Sequence, residues 1–184
     1  MKNIIFTLLL GLTTISFAQE KGKFRGGLET GFSFHEEFIP IPNVLAMELK
    51  YNFYKNMNAG FRTVFTSIRT CKCYSTELLS FSFTYDYYFH YKNSLFSPFV
   101  GAGLGYYFGG GYEHGGEYDE GIYQKHNNPT CFARVGLEIW KIRIAFDYNL
   151  IRDSKYFNSN KNLDYMSITV GFYIGGGKWK KKQE

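Results

Sequence analysis

One segment of the chain, residues 109–130, gathers the side chains best suited to binding a metal ion. Carboxylate oxygens together with imidazole nitrogens can hold a divalent cation. Here their spacing follows no fixed ligand pattern, and glycines interrupt the segment. We therefore expect an acidic, solvated surface loop without a metal or another cofactor, and a metal site is the weaker hypothesis. That site would use Glu113, His114, Glu117, Asp119, Glu120 and His126.

The same region is rich in tyrosine, which allows two interpretations. The rings form an aromatic recognition surface, or they belong to a girdle of aromatic residues at a membrane interface. The tyrosines concerned are Tyr106, Tyr107, Tyr112, Tyr118 and Tyr123.

Nucleophilic catalysis has little support in the sequence. A Ser/His/Asp site requires a nucleophile, a base and an acid that orients the base. His35, with Asp153 and Ser154 from another segment, could supply these groups, but no motif surrounds them. We therefore predict that the protein is not an enzyme.

The chain contains three cysteines, Cys71, Cys73 and Cys131. In an oxidising compartment one disulfide bridge is plausible, from Cys71 or Cys73 to Cys131, which leaves one thiol over. A metal or redox site at the C-x-C pair is the alternative. All three cysteines are expected at the rim of the fold that carries the long loops.

β-Strands must position these residues, because the chain alternates between apolar and polar side chains. Residues 78–91 alternate throughout, with aromatic and aliphatic residues on one face and small, hydroxylic or charged residues on the other. A period of two is typical of a strand. Eight such strands can be marked, at residues 23–34, 44–53, 59–67, 78–91, 97–108, 131–139, 142–148 and 163–174.

The connections between these strands differ in length in a regular way. Those near residues 54–58, 92–95 and 140–141 are short, whereas those at 35–43, 68–76, 109–130 and 150–162 are long. With an even number of strands, both termini and all short turns lie on one side, and the long loops lie on the other. Bacterial outer-membrane barrels show this asymmetry. The pattern predicts an all-β fold: an eight-stranded, antiparallel, up-and-down transmembrane β-barrel.

The polar faces of the predicted strands carry equal numbers of positive and negative charges. Facing lipid, an Arg or Lys would cost about 2–4 kcal/mol near the bilayer midplane. Inside a narrow lumen the same charges can pair. We therefore predict a plugged lumen in which glycines at 101, 103 and 105 leave room for long side chains. The predicted network comprises Arg25, Glu29, Glu48, Lys50, Arg62, Asp86, Arg134, Glu138, Arg143 and Asp147.

The N-terminus has the features of a cleavable signal peptide. Lys2 supplies a positive start, residues 4–12 a short apolar core, and Ser16-Phe17-Ala18 a small-x-small cleavage pattern. We assign residues 1–18 to the signal and 19–177 to the barrel. No later stretch approaches the length of a transmembrane helix.

The charge distribution argues against a nucleic-acid partner. The net charge is +5, and much of the excess lies in residues 178–184, a basic tail expected on the periplasmic side. No basic stripe runs along the rest of the chain.

The sequence resembles the small eight-stranded outer-membrane barrels of the OmpA/OmpX type, within the porin-like β-barrel superfamily. The resemblance rests on SPFVGAGLGY at residues 97–106 and on the final strand, SITVGFYI at 167–174. It implies export to the outer membrane of a two-membrane bacterium, contact with outer-membrane lipid, and insertion by the barrel assembly machinery. Such barrels usually end in an aromatic residue that this machinery reads. Here Phe172 and Tyr173 are followed by glycines and the basic tail, so recognition would use an internal signal, or the tail would bind a periplasmic partner.

The expected function is a non-enzymatic, structural or adhesive scaffold that presents four extracellular loops to a partner. One alternative is a porin-like barrel that transports small solutes or apolar ligands. Another is a soluble, lipocalin-like carrier, in which the apolar faces of the strands would point inward.

Overall fold

The computed structural model describes residues 21–34, 41–71, 74–89, 96–113, 122–151 and 164–176. These residues form eight β-strands. The strands are β1 (Lys23–Phe34), β2 (Ile41–Asn52), β3 (Met57–Cys71), β4 (Tyr74–Tyr88), β5 (Phe96–Glu113), β6 (Ile122–Ile139), β7 (Ile142–Ile151) and β8 (Tyr165–Gly175). Within the described residues, no helix has the length and apolar character needed to cross a lipid bilayer.

The strands close into a single antiparallel barrel. Each strand pairs with its neighbours in sequence, and β1 pairs with β8 to complete the ring. The predicted fold class, an eight-stranded up-and-down antiparallel barrel, is confirmed.

The strand register fixes how wide this barrel is. A path that starts at Phe24 of β1 and passes from each residue to its partner on the next strand returns to β1 at Phe34. The path is therefore displaced by ten residues along β1 after one turn of the ring, since 34 − 24 = 10. For eight strands, this stagger corresponds to a strand tilt of about 40° and a radius of about 8 Å. Side chains from opposite walls therefore meet in the lumen. The row of partners is Phe24, Tyr51, Ala59, Tyr85, Ala102, Ala133, Tyr148, Met166 and Phe34.

The two faces of the barrel have opposite polarity to those of a water-soluble barrel. Along β7 every second residue is buried, and the exposed positions are apolar or aromatic. Phe83 on β4 and Leu104 on β5 are 74% and 70% exposed. Since the apolar faces point outward, the lipocalin-like alternative is wrong.

Six strands, β2 to β7, are longer than the sequence predicts at their long-loop ends, and β3 to β6 differ most from the prediction. β3 and β4 pair up to Cys71 and Tyr74, and β5 and β6 pair up to Glu113 and Ile122. The predicted long loops at 68–76 and 109–130 are therefore too long. Alternation fades in these segments, but backbone hydrogen bonds do not require it, so the ladders continue. At the other end, β4 stops at Tyr88, before the predicted residue 91.

The turn between β6 and β7 contains an unusual backbone conformation. Trp140 and Lys141 alone join Ile139 to its partner Ile142, and Trp140 has φ 60°. A two-residue hairpin with positive φ at its first position favours glycine there, and a larger residue costs about 1–2 kcal/mol. Trp140 thus lies at the rim in a backbone conformation that is unfavourable for a residue with a side chain.

If the outward face contacts lipid, the cost of a charge there depends on its depth. Leu104 lies in the middle of the apolar run of β5, whereas Ile174, 60% exposed, lies beside the end of β8. Leu104→Arg should lower the free energy of unfolding by about 2–4 kcal/mol, and Ile174→Arg by at most about 1 kcal/mol. Chemical denaturation in phospholipid vesicles measures both. Equal effects of the two substitutions would contradict a lipid-facing surface.

Candidate functional site: a charged network inside the barrel

All ten charged residues predicted on the inward faces lie inside the barrel, and none is more than 5% exposed. They come from six strands, and β5 and β8 contribute glycines at the corresponding levels. The strand contributions are Arg25 and Glu29 from β1, Glu48 and Lys50 from β2, Arg62 from β3, Asp86 from β4, Arg134 and Glu138 from β6, and Arg143 and Asp147 from β7.

Two carboxylates, Glu48 and Asp86, form the centre of this network. Arg134 bridges them, with Nη2 2.7 Å from Glu48 Oε1 and Nε 2.7 Å from Asp86 Oδ1. Arg143 Nη2 lies 3.0 Å from Asp86 Oδ2, and Lys50 contacts both carboxylates. Each carboxylate is thus neutralised by more than one cation, as burial requires.

Two further groups extend the network along the barrel. Arg62 lies 2.8 Å from both Glu29 Oε2 and Asp147 Oδ2. Nearer the short turns, Arg25 Nη2 lies 2.6 Å from Glu138 Oε1. These contacts join strands across the lumen: β3 and β7 stand four strands apart in the ring of eight.

Tyrosine hydroxyl groups donate further hydrogen bonds to the carboxylate oxygens of the network. The Tyr173 hydroxyl lies 2.6 Å from Glu29 Oε1 and 2.5 Å from Glu48 Oε2 and can donate to either. Tyr88 donates to Glu138 Oε2 at 3.0 Å. Tyr173 is not among the predicted network residues, although its position between outward Phe172 and Ile174 places it on the inward face.

Aromatic rings cover the flat faces of the guanidinium groups. Arg143 Cζ lies 3.9 Å from the centroid of Phe99, a contact close enough for a cation–π interaction. Phe132 lies between two cations, 5.6 Å from Arg62 and 5.4 Å from Arg134. Arg25 Nε and Nη1 have no hydrogen-bond partner, but its guanidinium lies 4.8 Å from the Tyr173 ring.

Two glycines of β5 give the network the space it occupies. A Cβ atom at Gly101 would lie 2.0 Å from Asp86 Oδ1, and one at Gly103 would lie 2.3 Å from the Phe132 ring. Neither distance is compatible with van der Waals packing. This close approach is the reason for glycine at both positions.

Within the described residues, the charges inside the lumen extend from the side of the short turns to about the middle of the barrel. Arg25 and Arg143 lie close to the start of β1 and β7, and Asp86 lies close to the end of β4. Towards the long loops, the buried side chains that the structure describes are uncharged. Tyr107 and Tyr165 contact each other there through their hydroxyls. The assignment of Tyr107 to a recognition surface or an outer girdle is therefore wrong, whereas Tyr106 does face outward.

The cysteine at position 131 lies elsewhere than predicted. Cys131 sits well inside β6, in register with outward Leu104 and Leu150, and its thiol is free. The rim location is wrong because β6 begins at Ile122. The bridge from Cys71 or Cys73 to Cys131 stays a prediction. Cys73 and the side chain of Cys71 lie outside the described residues.

Most of the other candidate residues lie outside the described part of the chain. This applies to His35, Asp153, Ser154 and residues 114–121, and to the signal peptide and the basic tail. Glu113 and His126 belong to β5 and β6, but their side chains are not described. Within the described residues, no three His, Cys, Asp or Glu side chains form a candidate metal site.

The chain matches no protein-family model and no curated protein. It is similar to solved outer-membrane barrels. The N-terminal β-barrel domain of Pseudomonas aeruginosa OprF is 11% identical, with a TM-score of 0.55 over 84% of this chain and 98% of that one. Neisserial surface protein A is 12% identical, with a TM-score of 0.55 over 83% and 95%. P. aeruginosa OprG is 15% identical, with a TM-score of 0.53 over 87% and 97%. The chain has the fold of the small outer-membrane β-barrels.

The requirement for glycine at position 101 can be tested by comparison with Gly26, where an added side chain would meet no other atoms. Gly101→Ala forces Asp86 and the carbonyl oxygen of Tyr85 to move, and should cost about 1–3 kcal/mol in unfolding free energy. Gly26 has no atom within 4 Å of an added Cβ, so Gly26→Ala should change stability by less than about 0.5 kcal/mol. Denaturation midpoints in detergent micelles compare the two variants. Equal stability would disprove the spatial role of Gly101.

Asp86 should contribute far more to the free energy of unfolding than an exposed carboxylate on the same strand. Asp86→Asn leaves the charges of Arg134, Arg143 and Lys50 undercompensated in a buried site, at an expected cost of about 3–5 kcal/mol. Glu77 on β4 is exposed, so Glu77→Gln should cost less than about 0.5 kcal/mol. The comparison uses the same unfolding assay. A cost for Asp86→Asn as small as that for Glu77→Gln would mean that the network does not hold the barrel together.

Proposed function

We propose that this protein is a non-enzymatic outer-membrane barrel with a plugged lumen, which presents its long loops at the cell surface. Residues 1–18 direct export and are removed, the barrel assembly machinery inserts residues 19–177, and the tail from 178 to 184 lies in the periplasm. The observation that carries the proposal is the buried network of ten paired charges inside a shell of outward apolar residues. In water that shell would be an aggregation surface, and in lipid it is solvated.

The contacts across the lumen argue for a closed barrel. Arg134 on β6 reaches Glu48 on β2, and Arg62 on β3 reaches Asp147 on β7. Opening a water-filled path would require these pairs to separate. Breaking a buried pair costs about 3–5 kcal/mol, and several pairs share their partners here. A porin-like pathway for solutes therefore has a large energetic obstacle at the level of the network.

The strand lengths argue for a role at the long-loop side. β5 and β6 have 18 residues each, against 10 for β7 and 11 for β8. At the tilt set by the register, 18 residues rise about 45 Å, whereas the apolar band of an outer-membrane barrel is about 25 Å tall. The β5–β6 hairpin therefore extends well beyond the membrane. A rigid, projecting hairpin suits a scaffold that holds loops for a partner.

Planar-bilayer recording tests the plug and distinguishes it from transport. Insertion is first verified by heat-modifiable migration in a detergent gel, and recovery in the soluble periplasmic fraction would contradict the membrane location. The inserted wild type should give no stable channel steps. A variant with alanine at Glu48, Asp86, Arg134 and Arg143 keeps the net charge and removes the core of the network, so it should conduct. Stable steps from the wild type would favour the transport alternative.

A further inference from the structure

We propose that the lumen binds a small monovalent anion, such as chloride, at the end beside the short turns. The site lies between Arg25 on β1 and Asn58 on β3, whose side chains face the inside of the barrel. It depends on the geometry of the interior alone. The inference therefore adds a binding site to the barrel without relying on the proposed membrane location.

Both residues have buried hydrogen-bonding groups that the described part of the protein does not satisfy. Arg25 is 5% exposed and Asn58 is 0% exposed. Arg25 donates to Glu138 through Nη2, whereas its Nε and Nη1 atoms have no partner, and neither amide atom of Asn58 has one. An unsatisfied buried donor costs about 1–3 kcal/mol, and more where it is charged. A ligand that accepts hydrogen bonds from these nitrogens is therefore stabilised here.

The charges of the network are unevenly distributed along the barrel axis. At the tilt set by the register, each residue along a strand rises about 2.5 Å, and each step from a residue to its partner on the next strand rises about 3 Å. Measured from Arg25 towards the long loops, five charged residues lie within about 4 Å and the other five at about 8–13 Å. The lower group contains Arg25, Lys50, Asp86, Glu138 and Arg143, and the upper group contains Glu29, Glu48, Arg62, Arg134 and Asp147.

The lower group has an excess of positive charge, although the network as a whole is neutral. It combines three cations with two carboxylates, whereas the upper group combines two cations with three carboxylates. The field inside the lumen therefore favours an anion beside the short turns. Asn58 lies within about 1 Å of Arg25 along the axis, so the unpartnered groups coincide with this positive region. A water molecule accepts the same hydrogen bonds but does not compensate the charge.

The side chains around Arg25 orient its guanidinium group and limit the size of the ligand. The Tyr173 and Tyr88 rings have their centroids 4.8 and 6.0 Å from Arg25 Cζ, and Tyr88 also donates to Glu138. These rings hold the plane of the guanidinium, so its unpartnered N–H groups keep a fixed direction. Phe99, which is 1% exposed, packs against Tyr88 at the same level. The close packing favours a monatomic ion over phosphate or sulfate.

The test measures chloride binding to the full chain folded in detergent micelles. The line width of the chlorine NMR signal increases when the ion exchanges with a protein site, and a titration with chloride gives the dissociation constant. Sodium gluconate, whose anion is too large for the site, keeps the ionic strength constant. Heat-modifiable migration verifies that each variant is folded.

Two substitutions remove one side of the site each, and each has a matched control. Arg25→Lys keeps the charge beside Glu138 but removes the Nε and Nη1 donors, and its control is Arg62→Lys in the upper group. Asn58→Leu removes the amide at similar volume. Its control is Asn128→Leu, at a buried asparagine near the long loops that is 4% exposed.

We expect saturable line broadening for the wild type and for both controls. Arg25→Lys and Asn58→Leu should each weaken chloride binding about tenfold, which corresponds to about 1.4 kcal/mol. A wild type without saturable broadening, or binding that both substitutions leave unchanged, would overturn the site. If Arg25→Lys does not fold, Asn58→Leu and its control decide the question.

Crystals grown with sodium bromide locate the ion directly. Bromide scatters anomalously and should give a peak within hydrogen-bonding distance of nitrogen atoms of Arg25 and Asn58. A water molecule at this position, without an anomalous peak, would contradict anion binding.

Discussion

The narrow lumen is the constraint on which the rest of this structure depends. A stagger of ten residues around eight strands sets a radius of about 8 Å, so long inward side chains from opposite walls contact each other. Bulk water cannot solvate charges there, and each charge needs a partner inside the protein. Three features of the structure meet this requirement: the bridging arginines, the tyrosine hydroxyls and the glycines of β5.

The network also specifies the alignment of the strands. Buried ion pairs often stabilise a protein no more than apolar packing would. Moving a strand by one residue, however, would turn its whole inward set toward lipid. For β7 this would expose Arg143 and Asp147 and bury apolar neighbours in a polar interior. The ion pairs thus select one register among several that backbone hydrogen bonding alone would permit.

Alternation was sufficient to predict the barrel and its charged interior, because both depend on the parity of residues along a strand. β1 has the predicted bounds, and all ten charges face inward. The alternation also places Tyr107 and Tyr173 on the inward face. Their orientation was nevertheless missed, because a tyrosine is compatible with either face of a strand. The ends of β5 and β6 beside the long loop could not be predicted, since backbone hydrogen bonds between the strands continue where apolar and polar side chains stop alternating. The location of Cys131 was missed for the same reason.

The interior contacts link residues that are very far apart in the chain. Tyr173 meets Glu29 across 144 positions, and Arg25 meets Glu138 across 113. Contacts of such separation form late, because the entropy of closing the intervening loop must be overcome first. Neither the closing ladder between β1 and β8 nor the contacts of Tyr173 can form before the last strand arrives. The closed ring and its interior contacts are therefore properties of the whole set of eight strands, and a chain truncated before β8 would lack both.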